Sequence, residues 1–308
     1  VTMTAVALLG FSVSPSFIWL CIMAIPLGLG AGSVDAALNN FVALHYEASH
    51  MSWLHCFWGL GATLGPVIMS FFIFQNNNWR QGYFTISMIQ FSLVFVLLTT
   101  LSLWKKFEKN SNNSSQGEKN TNNIEALKIP GVKFALLSFA AYCATEATAG
   151  LWGGSYLVSH KGLPAGEAAR WFSMFYAGIA IGRLITGFIT IKFTNKMLIR
   201  MGQIICIIGA VVLLLPLPIY LSIIGLVLVG LGCAPIFPCM LHETPNRFGQ
   251  EASQSIMGLQ MASAYMRTTL MPPLLGLIAS KTSIIIFPYF LLSYILIMLV
   301  SAEKYLLQ

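Results

Sequence analysis

The chain holds a single aspartate, Asp35, and places it in "GLGAGSVDAALNN" (28–40), inside a long apolar run. If that run crosses a bilayer, a charge at its centre costs at least ~2.5 kcal/mol. At 100° per residue, Gly28, Gly32 and Asn39 fall on the same side as Asp35. The two glycines form a small-xxx-small pair that would let a neighbouring helix come close. Two readings fit this face: a substrate or proton site, or a protonated carboxyl that only hydrogen-bonds Asn39 or a neighbouring helix. The next run, "SWLHCFWGLGATLGP", puts His55, Gly59, Ala62 and Thr63 on one stripe with Trp58 at its edge. An aromatic ring beside a polar group suits a ligand with apolar faces and hydroxyl edges. An interhelical hydrogen bond from His55 is the equal alternative.

Two further groups belong with these. Glu146, in "YCATEATAGLWGGS", lies about fifteen residues into its run and so near mid-depth. Tyr142, Gly150 and Gly153 share its face. An acid at that depth can lose and regain a proton as a cavity opens to either side; a structural hydrogen bond is the plainer use. Arg183, in "GIAIGRLITGF", follows the pair Gly178 and Gly182. It either meets a carboxylate or substrate hydroxyls, or reaches back to the membrane surface. Arg267, in "SAYMRTTLMPPLLG", is a second cation inside a run, and the sequence offers it no partner. The chain has no phosphate-binding glycine loop with a following lysine, no HExxH and no GxSxG. An enzyme is not expected, and neither is a metal site or a cofactor.

The elements that must position these groups are membrane helices. Hydrophobic residues make up 56% of the chain and charged ones 9%, against about a quarter charged in soluble domains. Ten spans can be drawn: 1–13, 17–46, 51–74, 83–103, 132–157, 171–191, 197–215, 219–240, 253–279 and 284–300. Most connections are short. The exception is 105–130, which is polar, rich in Asn, Ser and Lys, and reads as a flexible linker. It divides a first part, 1–104, from a second part, 131–308. All six cysteines fall in apolar runs without metal-site spacing, which suggests use as small hydrophobes.

Positive charge sets the orientation. One set of alternate loops, with the C-terminal end, carries Lys105, Lys106, Lys109, Lys119, Lys128, Lys133, Lys192, Lys196, Arg200, Arg247 and Lys304. The opposite set carries Arg80, Lys161, Arg170 and Lys281. The linker and the C-terminus are therefore expected in the cytoplasm. The net charge of +7 is explained by this topology, and no nucleic-acid partner is expected. There is also a faint internal repeat: "LGLGAG" (27–32) matches "VGLGCA" (229–234), and each is followed by a span with Gly and Pro at its end. On that pattern the second part is a six-helix half. The first, starting abruptly inside an apolar run, is expected to lack two helices.

The ordered set "GLGAGSVDAALNNFVALHY", "WLHCFWGLGATLGP", "GRLITG", "PIFPCMLHETPNRFG" and "TTLMPPLLG" resembles the major facilitator superfamily, and within it the fucose permease-like sugar symporters. The resemblance runs over nearly the whole chain. It implies an all-α bundle with helices three to twelve of twelve present. It also implies alternating access and uptake of a monosaccharide with H⁺, with Na⁺ as the alternative ion. A bacterial cytoplasmic membrane, a lipid bilayer as surroundings and a monomer are expected with it. It puts the sugar-contacting acid of the fourth helix on Asp35. The amide positions of the next helix fall on His55 and Trp58, a departure that argues against fucose itself. The eighth-helix arginine falls on Arg183. The expected substrate-binding residues are thus Asp35, Asn39, His55, Trp58 and Arg183, and the expected proton-coupling residues are Asp35 and Glu146. Two other functions fit the same residues: an exporter of drugs or metabolites with this fold, and a membrane sensor or subunit that transports nothing.

Overall fold

The computed structural model describes residues 1–76, 78–101 and 122–307. The helices in chain order are α1 (Thr2–Ser12), α2 (Phe17–His45), α3 (Ala48–Asn76), α4 (Trp79–Thr99), α5 (Asn123–Ala126), α6 (Val132–Ser159), α7 (Ala165–Ile189), α8 (Asn195–Leu214), α9 (Ile219–Phe248), α10 (Gln250–Lys281) and α11 (Phe287–Leu307). A single 3₁₀ turn, Ile284–Ile286, leads into α11. Within the described residues, each span drawn from the sequence corresponds to a helix. Among the described residues, seven helices are both long and apolar enough to cross a membrane, namely α2, α4, α6, α7, α8, α9 and α11 with its leading turn. Two of the other drawn spans, α1 and α10, fall short of that measure. α1 has only 11 residues. α10 is long but more polar, carrying Glu251, Gln260 and Arg267; α3 has 29 residues, and its side chains beyond Gly61 are described only in part.

Sequence-local chemistry sets the helix ends. Asn78 accepts from the Gln81 amide at 3.3 Å to start α4, and Thr194 accepts from Met197 at 3.4 Å to start α8. Pro164 and Pro218 precede α7 and α9. Gly249, at φ 86°, ends α9 and lets α10 begin at once. α9 contains Pro235, Pro238 and Pro245 and still runs unbroken to Phe248, eight residues beyond the span drawn from the sequence. Proline is tolerated inside membrane helices because neighbours and local adjustment satisfy the freed carbonyls.

Tertiary packing divides the chain into two units: Val1–Leu38 with Leu60–Asn120, and Asn39–Gly59 with Thr121–Gln308. The halves drawn from the sequence place Asn39–Gly59 in the first part; by its packing this hairpin groups with the second.

In the first unit α1 packs on α4. Ser87 donates to the Ala5 carbonyl at 2.9 Å, and Thr4 donates to Gln90 Oε1 at 2.6 Å. α1 also meets α2 through Gly30, whose added Cβ would lie 2.9 Å from the Thr4 side chain. The close approach expected at Gly28 is not there: among the described residues nothing comes within 4 Å of that position. Gly30 lies about 200° around the helix from Gly28, so the contact with α1 is made by the opposite face of α2.

In the second unit α9 lies between α7 and α8. Gly202 and Gly209 on α8 meet Gly232 and Gly225 on α9 backbone to backbone. A Cβ at Gly202 would stand 2.5 Å from the Gly232 carbonyl, and one at Gly209 would stand 2.6 Å from that of Gly225. Each pair is seven residues apart, the two-turn spacing of a left-handed crossing. On the other side of α9, Gly182 meets Ala234 and Gly230 meets the Phe175 carbonyl, each too closely to admit a Cβ. α6 packs between α10 and α11. Trp152 donates to the Pro272 carbonyl at 2.8 Å and lies over Gly276, which accounts for the "PPLLG" pattern.

Of the segment read as a flexible linker, 105–121 lie outside the described residues. The remainder is not a loose tether. α5 forms one turn there, and Ala126 is buried with Val132, Ala252 and Ile256.

Four of the six cysteines are buried, Cys143, Cys206, Cys233 and Cys239; Cys21 is exposed and Cys56 half-buried.

Candidate functional site

Arg183 is 2% exposed and sits inside the second unit. The Gly178 and Gly182 contacts with α9 hold α7 in place and fix its depth. Its guanidinium does not reach for the membrane surface. Nη2 donates to both Glu146 oxygens, at 3.5 and 3.4 Å, and to the Tyr142 hydroxyl at 3.3 Å. Nη1 donates to the His55 carbonyl at 3.5 Å. Tyr142 in turn donates to Glu146 Oε2. Tyr142 and Glu146 are one turn apart on α6, so both reach the same guanidinium. Arg183 Nε is buried and finds no acceptor among the described residues.

Rings close over this cluster. The Arg183 guanidinium carbon lies 5.4 Å from the centre of the Trp58 ring and 6.0 Å from that of Phe237, both within cation–π range. Trp58 is 59% exposed, so its ring joins the buried charges to open space. Phe237 is wedged between Phe139 and Tyr142, and His55 meets it edge-on with ring centres 4.6 Å apart. His55 Nε2 lies 3.0 Å from Asn39 Oδ1. The amide oxygen only accepts, so the imidazole proton is on Nε2. Both side chains are buried, Asn39 at 1% exposure. Near the open side, Tyr176 donates to the Gly150 carbonyl at 3.3 Å, a contact that any side chain at Gly150 would obstruct.

Five expected residues thus meet in one unit: Asn39, His55, Trp58, Glu146 and Arg183. Asp35 is half-buried on α2, one turn before Asn39 in sequence, and belongs to the first unit. The stripe mates Ala62 and Thr63 fall among residues whose side chains are not described. Arg267 is half-buried. Its Nη1 contacts Met271 Sδ at 3.9 Å, and Tyr294 donates to the same sulfur at 3.6 Å. Sequence reading places Tyr142 on the Glu146 face but gives it no role. It misses Phe237 and Tyr176. Phe237 stands between Pro235 and Pro238, and proline spacing inside a helix is the signal that could have found it.

A multi-helix membrane bundle with a buried Arg–Glu–Tyr cluster is a frame for moving a polar solute. The sequence profile of the Major Facilitator Superfamily matches residues 1–266, and the chain belongs to that family of transport proteins, which are not enzymes. The glucose/mannose transporter GlcP of Bacillus subtilis is 28% identical over 248 residues, which cover 78% of this chain and 61% of that protein. Bypass of stop codon protein 6 of Saccharomyces cerevisiae is 26% identical over 215 residues, which cover 61% of this chain and 42% of that one. The chain therefore spans less than two thirds of the length of these relatives. Among solved structures, the fucose:proton symporter FucP of E. coli has a TM-score of 0.77 at 15% identity, covering 99% of this chain and 81% of that one. The proton:xylose symporter XylE has a TM-score of 0.78 at 11% identity, covering 98% and 78%. At those identities the two structures speak for the fold.

Proposed function

We propose that this protein carries a monosaccharide across a bacterial cytoplasmic membrane together with a proton, by alternating access. The observation that carries the reading is the Arg183 cluster. A buried guanidinium faces Glu146, keeps one N–H without an acceptor among the described residues, and lies under the exposed Trp58 ring. A buried donor without an acceptor costs ~1–3 kcal/mol, and a sugar hydroxyl would remove that cost. The flat ring of Trp58 suits the C–H face of a pyranose. Asn39 and His55 supply amide and imidazole edges, and Asp35 is a further sugar-binding and proton-coupling group. Glu146 is the proton carrier. With a proton on it, its attraction for Arg183 weakens and the guanidinium is free for substrate. The sugar class follows the glucose/mannose transporter among the relatives. In the same reading the linker side and the C-terminus are cytoplasmic, and the protein acts as a monomer.

The test is the full-length protein in sealed vesicles with an imposed pH gradient, offered labelled glucose, mannose, fucose and xylose. Wild type accumulates at least one of them. Glu146→Gln, fixed in the neutral form, keeps sugar exchange across the membrane but loses gradient-driven accumulation. Accumulation by Glu146→Gln at the wild-type level would overturn the role of Glu146. Sodium-driven uptake would replace the coupling ion, and outward flux of an unrelated drug would replace the substrate class.

A further inference from the structure

The outer surface of the second unit carries a groove that the transport cluster does not use. It has a volume of about 360 Å³ and runs between α6 and α11. α6 contributes Phe134 and Leu137; α11 contributes Leu296, Ile297, Val300 and Lys304. The helices are antiparallel and pinned in register by Ser138, which donates to the Met298 carbonyl at 3.1 Å. Residues one turn before Ser138 are therefore level with residues one turn after Met298. That places Lys133, in the first turn of α6, at the same end of the groove as Lys304, near the last turn of α11. Lys304 Nζ lies 5.2 Å from the centre of the Phe134 ring, so the cation is held at the groove mouth. The adjacent acid, Glu303, is already bound by Arg200 through two contacts of 2.6 and 2.7 Å. Among the described residues, neither Lys133 nor Lys304 is in an ion pair.

We propose that this groove seats one anionic phospholipid, with its acyl chains along the α6–α11 surface and its phosphate between Lys133 and Lys304. The charge distribution selects this occupant. A plain apolar helix would be matched by the aliphatic lining but would leave two cations bare at one end. A zwitterionic lipid would fill the groove but offers its phosphate together with a compensating cation. A molecule with long apolar chains and one net negative charge at a single end matches both parts. It lies in the leaflet where α6 begins and α11 ends. A lysine near the membrane surface is worth about fivefold in affinity for an anionic lipid.

The experiment is native mass spectrometry of the full-length protein extracted from vesicles of phosphatidylcholine and phosphatidylglycerol in equal parts. Wild type is expected to retain phosphatidylglycerol in preference to phosphatidylcholine. Lys133→Gln and Lys304→Gln should each cut that preference about fivefold, with unchanged thermal unfolding, because both side chains are exposed. Val300→Trp fills the groove from an exposed position and should lower retention of both lipids. The same preference in all four proteins would overturn the proposal. So would a wild-type dimer that Val300→Trp dissolves, since the groove would then be covered by a second copy. Neither result bears on sugar transport, so this site stands or falls apart from the function proposed above.

Discussion

Removing Arg183 alone leaves Glu146 beside Tyr142 with no cation, in a pocket where the glutamate side chain is 19% exposed. Breaking a buried pair from one side costs ~3–5 kcal/mol, whereas removing both charges costs much less. The contacts of 3.4–3.5 Å are long for charge-assisted bonds and place this pair at the lower end of that range. We expect Arg183→Gln to lower the unfolding temperature in detergent clearly, and Arg183→Gln with Glu146→Gln to recover most of the loss. Equal melting of the single and double variants would mean that the two charges do not sense each other. The residue types in this cluster were legible from the sequence, because an ionisable group inside an apolar run is expensive and so conspicuous. Their pairing was not. Glu146 and Arg183 are 37 residues apart, on helices whose relative rotation depends on glycine contacts with a third helix, α9. Phe237 was invisible for a related reason: one more phenylalanine in an apolar helix carries no signal until its neighbours are known.

At the level of the helix, the sequence shows where the spans lie, though not the early start of α7 or the late end of α9, and it does not show which small residues meet a neighbour. Gly28 and Gly32 have the spacing of a packing pair, yet Gly28 faces open space among the described residues and Gly30 makes the contact. The repeat that matches Gly28 with Gly230 therefore pairs an open position with one pressed against a backbone carbonyl. The seven-residue pairs on α8 and α9 went unread because i, i+7 glycines are easily lost among 26 of them. The structure separates the two kinds by consequence. Gly28→Ala should be neutral or slightly stabilising, since alanine is better than glycine inside a helix by ~0.5–1 kcal/mol. Gly202→Val should cost ~1–3 kcal/mol or more, because its Cβ would meet a carbonyl that belongs to the helix backbone and cannot turn away. Thermal unfolding by circular dichroism ranks the two; similar melting would mean that α8 and α9 can move apart freely.

Across the whole chain, the segment Asn39–Gly59 is the feature that sequence order concealed. It reads as the end of one span, a turn and the start of the next, all within the first part. In the structure these residues are fastened to the second unit by specific bonds. Ser253 donates to Asn40 Oδ1 at 2.7 Å, and His242 Nε2 lies 3.0 Å from the Tyr46 carbonyl. Trp53 packs edge-on against Phe188 with ring centres 5.6 Å apart, and Arg183 holds the His55 carbonyl. Linear reading divides a chain at its polar linker, but the folded molecule divides according to which surfaces are in touch. Under the proposed alternating access, we expect some of the bonds that hold this hairpin to the second unit to break during the cycle. A covalent tie between Asn40→Cys and Ser253→Cys therefore tests the proposal directly, in a background where the six native cysteines are replaced. The two side chains already touch, so a short thiol cross-linker should join them in the resting protein. Joined, the protein should lose sugar accumulation and exchange together; reduction should restore both. Transport at the unlinked rate with the tie in place would mean that these bonds are permanent packing and that the moving surface lies elsewhere.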